Sequence, residues 1–250
     1  MKLTILGSGA GIVTARRGSS GYLLSINKKN ILIDSGSGTL RKIAESSYSL
    51  KEVEYAVYSH FHPDHIVDLI SLLFAFMIPG DHKPKNLTLI GPNGMRDFYQ
   101  NLSRNFNNLL EPRECNLIIR ELTDRHLNFE DFMISSRTVK HSVNSNAYRI
   151  ETRSGKNLVY SGDTDYCKNI VDLARDTDAL LLECSHPKHI KVEGHLNSLF
   201  AGMIARESHC KKLILTHFYP ICDSYDIVGQ CKREFSGDII LAEDLMTVEI

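Results

Sequence analysis

The 250 residues carry 30 acidic and 29 basic side chains, for a formal charge of −1. That balance gives no electrostatic footing for a long polyanion, so extended nucleic acid is not the expected partner. The length supports a sizeable core, and the longest apolar run, Leu72–Ile78, is too short to cross a bilayer.

The chain opens on a strand, Leu3–Leu6, with no secretory leader expected ahead of it. Gly7-Ser8-Gly9-Ala10-Gly11 follows. These glycines resemble half of a dinucleotide fingerprint, but β-branched Ile12-Val13-Thr14 opens no helix. A tight turn that brings backbone close to a site is the better reading. Tyr22–Ile26 and Ile31–Ile33 form a hairpin, and the second strand delivers Asp34-Ser35-Gly36 ahead of a helix over Thr39–Ser46. Arg16-Arg17 and Lys83-Pro84-Lys85 read as solvated basic pairs.

The next segment is the densest in chemistry. An apolar strand, Tyr55–Tyr58, ends in Ser59-His60-Phe61-His62-Pro63-Asp64-His65, and a helix is predicted over Ile66–Ile78. Pro63 suits the first turn of a helix and cannot continue a strand. Three imidazoles and a carboxylate on one strand-to-helix loop suit a metal, zinc first and less selectively manganese or iron. Spacing alone lets His60 and His62 grip one ion, and Asp64 and His65 a second.

Beyond it, Leu87–Ile90 reads as a strand and Met95–Phe106 as a helix. Asn116–Arg120 and Phe132–Val139 are predicted strands, the latter delivering Lys140-His141-Ser142. A second hairpin, Ala147–Thr152 with Asn157–Tyr160, ends in Ser161-Gly162-Asp163-Thr164. A helix over Cys167–Ala174 and a strand over Ala179–Leu182 lead to Glu183-Cys184-Ser185-His186. A helix is predicted over Leu196–Ser208 with His195 just before or at its start, then a strand, Lys212–Leu215, ending in Thr216-His217. A helix over Asp226–Phe235 and strands at Ile239–Leu241 and Met246–Val248 close the chain. Hairpin, Asp-bearing loop, helix, strand and His-bearing loop recur in both halves, so 1–250 reads as one domain of two pseudo-repeated halves with a boundary near 110–120. Polar residues recur where apolar strands end, which indicates one site along a sheet edge in an α/β (α+β) layered fold. The six scattered cysteines contain no Cys-x-x-Cys pair and read as reduced thiols of a cytoplasmic protein.

His60-Phe61-His62-Pro63-Asp64-His65 resembles the His-x-His-x-Asp-His signature of the metallo-β-lactamase superfamily. Asp34, His141, Asp163 and His217 match that family's accompanying motifs, so the resemblance spans nearly the whole chain. It implies a four-layer αββα sandwich and two divalent metal ions, zinc expected and manganese or iron as alternatives. It implies His60, His62 and His141 on the first ion, Asp64, His65 and His217 on the second, and Asp163 across both. Asp34 resembles the aspartate that braces the histidine loop without binding metal.

Leu6–Gly11 and Ser161–Thr164 are most similar to the ribonuclease Z branch and its small phosphodiesterase relatives. Glu183 and His195 match that branch's additional acid and histidine. The resemblance implies that His195 protonates the leaving oxygen, that Glu183 orients it, and that Asp64 also accepts a proton from the nucleophile. It implies attack on a phosphodiester by a hydroxide bridging the ions. The chain departs from ribonuclease Z between His141 and Asp163. Only 21 residues separate them, which leaves no room for a tRNA-gripping arm. The expected substrate is therefore a small-molecule or short-oligonucleotide phosphodiester. Hydrolysis of a lactone, thioester or sulfate ester, an RNA-processing nuclease and a binding-only protein are the alternatives. A homodimer through the apolar Leu69–Ile78 helix stands beside plain core packing of that helix.

Overall fold

The structure, a computed structural model, describes residues 1–250. Strands β1 (Lys2–Gly7), β2 (Gly21–Ile26), β3 (Lys29–Ser35), β4 (Val53–Val57), β5 (Asn86–Gly91) and β6 (Asn116–Glu121) build one sheet. Strands β7 (His126–Asn128), β8 (Phe132–Thr138), β9 (Asn146–Thr152), β10 (Asn157–Tyr160), β11 (Ala179–Glu183), β12 (Lys212–Thr216) and β13 (Asp238–Leu241) build the other. The last strand, β14 (Thr247–Glu249), returns to the first sheet and pairs antiparallel with β1.

Each sheet joins an antiparallel hairpin to a parallel run. In the first, β2 and β3 are antiparallel, and β3 through β6 are parallel. In the second, β9 and β10 are antiparallel, and β10 through β13 are parallel. Parallel strands point their carboxyl ends to the same edge, which gathers the loops after β3, β4, β10, β11 and β12 there.

The sequence of the central strands explains the layering. Strand β11 reads Ala-Leu-Leu-Leu-Glu, buried throughout, as a strand covered on both faces must be. Alternation sends Leu181 inward, between the sheets, with Ile33, Tyr22, Tyr148 and Ile214. Leu180 and Leu182 face outward onto helices α5 (Lys168–Leu173), α6 (Ser198–Ser208) and α7 (Ile227–Cys231), numbered after the four of the first half. On the far side, α1 (Thr39–Glu45), α2 (Pro63–Ile66), α3 (Asp68–Met77) and α4 (Met95–Asn105) cover the first sheet. Two mixed sheets between two helical layers make the αββα sandwich.

Several boundaries depart from the sequence reading. Helical structure after the histidine loop starts at Pro63 rather than Ile66, with Val67 separating two segments. Helix α6 starts at Ser198, because the Asn197 side chain accepts from the amides of Leu199 and Phe200 and caps it there. His195 therefore lies in the preceding loop. Helix α7 stops at Cys231, four residues short of Phe235. Strand β7 is too short and polar to show a period. Arg17 and Lys83 are not solvated. Arg17 is buried against the Phe218 ring and donates to Ser8 Oγ and the Ala242 carbonyl at 2.8 and 2.7 Å. Lys83 is buried and donates to the Ile78 carbonyl at 2.8 Å. Helix α3 turns Leu69, Leu72, Leu73 and Phe76 into the core. No helix is long and apolar enough to cross a membrane.

Candidate metal centre

The loop between β4 and α2 supplies four potential ligands by simple geometry. His62 precedes proline and is held extended, at φ −66° and ψ 143°, while Pro63 opens the helix. The chain therefore turns sharply between His62 and Asp64, and the pairs His60/His62 and Asp64/His65 approach the centre from different directions.

Asp34 braces this loop from below. It is fully buried at φ +49° at the end of β3. Its Oδ1 accepts from the Ser59 amide at 2.7 Å. Its Oδ2 accepts from Ser59 Oγ at 2.7 Å, Tyr160 Oη at 2.6 Å and His65 Nδ1 at 2.7 Å. Two residues on, the Asp64 carbonyl would sit 2.0 Å from any Cβ at Gly36, so the Asp-Ser-Gly motif needs its glycine for close approach.

His141 follows β8, Asp163 follows β10 and His217 follows β12, the last in a left-handed backbone at φ +60°. The structure brings all seven residues together in two adjoining groups, with Asp163, His195 and His217 forming a third that overlaps both. His60, His62, His141 and Asp163 form one, and Asp64, His65 and His217 the other, each with ligand atoms within 4.8 Å of one another. Asp163 links them. Its Oδ2 lies 3.8 Å from His60 Nε2 and 3.7 Å from His141 Nε2. Its Oδ1 lies 3.2 Å from His65 Nε2 and 3.3 Å from His217 Nε2.

The donor set fits divalent ions. Four of the five imidazoles have Nδ1 against an acceptor: His65 on Asp34, His141 on the Gly194 carbonyl at 2.9 Å, and His217 on Ser185 Oγ at 2.9 Å. His60 Nδ1 faces Ser59 Oγ at 3.0 Å, whose single proton goes to Asp34. In the neutral tautomer each then presents a bare Nε2 lone pair to the centre. The nitrogens that face the centre converge at contact distance. His65 Nε2 and His217 Nε2 are 3.2 Å apart, and His141 Nε2 and His62 Nδ1 are 3.1 Å apart. That is close to the edge of about 3.3 Å of a tetrahedron with bonds of about 2.0–2.1 Å. His60 Nε2 and Asp163 Oδ1 are buried with no hydrogen-bond partner, a cost that a cation removes.

Without an ion His65 holds a proton: burial opposes it, but the charge and hydrogen bond of Asp163 and the bond to Asp34 raise it well above its ordinary value, and a cation would displace it. Burial pushes His60 well below its ordinary value, and burial also lowers His141, so both are neutral donors. Burial opposes ionisation of Asp64, but the hydrogen bond from His217 and the charge of His65 hold it down at about 2. Burial likewise opposes ionisation of Asp163, yet His217 and His65 keep it well below the usual carboxylate range.

Glu183 and His195 sit at the rim. His195 Nδ1 meets Glu183 Oε1 at 3.2 Å. Glu183 is buried and fixed by the amides of Thr164 at 2.6 Å and Leu196 at 3.1 Å, and by Ser185 Oγ at 2.6 Å. Burial depresses His195, but the bond and charge of Glu183 outweigh it and raise the imidazole. The ring stacks parallel to His217 at 5.7 Å between centroids.

Sequence reasoning passed over Ser59, Tyr160, Ser185 and the Lys191–Gly194 loop. Ser185 ties Glu183 and His217 together, while Lys191 Nζ clamps Asp165 at 2.8 Å and the His195 carbonyl at 2.9 Å. Ser59 and Ser185 could have been found, since each sits beside a predicted site residue at a strand end. Nothing local marks Tyr160 or Lys191.

This fold with this centre defines a metallo-β-lactamase-fold hydrolase that depends on divalent metal. Residues 1–236 match the family model described as anti-Pycsar protein Apyc1, and the chain belongs to that family. It is 29% identical over 250 residues to a probable metallo-hydrolase, YhfI, of Bacillus subtilis, covering 97% of each chain. The crystal structure of YhfI superposes with a TM-score of 0.84 at 27% identity, covering 99% of this chain and 98% of that one. Ribonuclease Z of Salinispora arenicola is 24% identical, covering all of this chain and 96% of the relative. The short form of human tRNase Z shares the fold at a TM-score of 0.82 and 22% identity, covering all of this chain and 99% of that one.

Proposed function

We propose that the protein is a dinuclear metal-dependent phosphodiesterase acting on a small-molecule or short-oligonucleotide phosphodiester. The observation that carries the two-ion reading is Asp163, whose two carboxylate oxygens each face a different set of imidazoles. His60, His62 and His141 would hold one ion, Asp64, His65 and His217 the other, with zinc the expected metal. Bound there, the ions would supply a water of lowered pKa and offset the charge growing on the phosphoryl oxygens.

The chain's own groups account for the proton movements. Asp64 Oδ2 lies at the second group, 3.5 Å from His217 Nε2, and is exposed enough to accept a proton from an attacking water. His195 has Nδ1 engaged by Glu183, which leaves Nε2 to protonate the departing oxygen. Such an acid matters for an ester that expels an alkoxide, which supports phosphodiester chemistry over thioester hydrolysis. Strands β9 and β10 form a tight hairpin between His141 and Asp163, so no arm for gripping tRNA projects there, despite the likeness to ribonuclease Z.

The test is turnover of a chromogenic phosphodiester by zinc- or manganese-loaded protein, with Asp64→Ala as control. Metal-dependent turnover lost in the mutant is the expected result. No turnover with both ions bound, alongside cleavage of a lactone, thioester or sulfate ester, would overturn the reading.

A further inference from the structure

A tyrosine at the mouth of the centre has a hydroxyl with nothing in the protein to do. The four fully buried tyrosines nearby all bond: Tyr22 to Thr216, Tyr58 to Ser35, Tyr148 to the Tyr58 carbonyl, and Tyr160 to Asp34. Tyr219, two residues past His217, is half-buried and makes no such bond. Its position is nevertheless fixed. Its ring stacks on His186 at 4.9 Å and 23° between planes. Its amide donates to the Ser185 carbonyl at 3.3 Å, and its own carbonyl accepts from Cys222 at 2.9 Å.

That fixed ring stands perpendicular to the two parallel imidazoles that flank the reaction centre. Its centroid is 6.2 Å from those of both His195 and His217, at 81° and 82°. The ring thus stands beside the gap between His195 and His217, where Asp163 comes within 4.0 Å of His195 Nδ1 and 3.3 Å of His217 Nε2. A phenol fixed beside a reaction centre, its O–H unpaired within the protein, is a neutral donor within reach of a group bound there.

We infer that Tyr219 Oη donates a hydrogen bond to a non-bridging oxygen of a phosphoryl group held at the centre, beside the His195 imidazole that serves the leaving oxygen. The inference rests on the phosphodiesterase reading and adds a substrate-contacting residue to it. His186, stacked behind the ring, is a positioning residue.

The test compares wild type with Tyr219→Phe, which keeps the ring and the stack. Three quantities are measured: metal content, kcat/KM on a chromogenic phosphodiester, and affinity of the metal-loaded protein for inorganic phosphate by calorimetry. Metal content stays the same. Both kcat/KM and phosphate affinity fall about tenfold to a hundredfold, at or below the loss from an enclosed oxyanion donor because this site is open to water. Equal kcat/KM and equal phosphate affinity in the two proteins would overturn the inference. If wild type cleaves no phosphodiester, the broader reading fails, and the calorimetry still decides. Weaker phosphate binding by Tyr219→Phe then supports the contact, and unchanged or absent binding removes it.

Discussion

Four of the five imidazoles of the centre are held by the outer nitrogen, and the holders differ in kind. Asp34 carries the heaviest duty. Four donors from three segments converge on one buried carboxylate, so the Tyr160 hydroxyl at 2.6 Å is a charge-assisted bond. Tyr160→Phe removes that bond and leaves the ring in its packing against Tyr22. It should cost about 1.5–3 kcal/mol of unfolding free energy in urea. A midpoint indistinguishable from wild type would show that the carboxylate is satisfied without it. His195 makes the opposite case. It belongs to the rim, and its removal leaves the nitrogens of the other five imidazoles in place. His195→Ala should retain its metal by elemental analysis and lose about 10²–10⁴ in turnover of an ester with a poor leaving group. Equal turnover on such an ester would take His195 out of the chemistry.

At the level of elements, the loop from Lys191 to His195 couples the two halves of the site. Lys191 pins it to Asp165 and to its own carbonyls, and the Gly194 carbonyl in turn orients His141. Gly194 sits at φ +81°, and a Cβ there would stand 3.0 Å from His141 Nδ1. Gly194→Ala should therefore strain the backbone by about 1–3 kcal/mol and tilt His141 off its carbonyl. Loss of that support should weaken metal binding about 10- to 100-fold, measured by competition with a chelating dye. Unchanged affinity would mean that His141 needs no second anchor. The seven residues that the structure brings together were legible in the sequence, and this loop was not, for a physical reason. His60 to His65 sit close in sequence at a strand end, a local pattern. Asp34 and Asp163 follow hairpins, which are local too. Asp165 and Lys191 are 26 positions apart and meet only because β10 and β11 are parallel neighbours. The strands were legible wherever both faces are buried, as in β11, and illegible in β7, whose three residues His-Leu-Asn are mostly exposed. The start of α6 was misplaced for a local reason, since Asn197 reads as an ordinary polar residue until its side chain is seen capping the helix.

Across the whole molecule, the centre is also a joint. His60, Asp64 and His65 hang from the first sheet, while His141, Asp163 and His217 hang from the second. The apolar layer between the sheets holds them together over most of their area, from Leu3 and Ile33 to Leu181 and Ile214. At the edge that layer gives way to converging ring nitrogens, the buried carboxylate of Asp163 and the half-buried one of Asp64, where nothing apolar can contribute. Ion binding at that edge should stabilise the native state by mass action, by about 2.7 kcal/mol at a hundredfold excess over the dissociation constant. With about 2–4 °C per kcal/mol for a chain of this size, that is a rise of roughly 5–11 °C in melting temperature. The rise should grow with zinc concentration, reverse on chelation and shrink in Asp163→Ala, which separates the two ligand groups. The measurement is calorimetric melting of chelator-stripped protein titrated with zinc. A melting temperature that stays fixed while calorimetry records stoichiometric uptake would mean that the ion binds the folded and unfolded chains alike, and that the sheets are joined by their apolar layer alone.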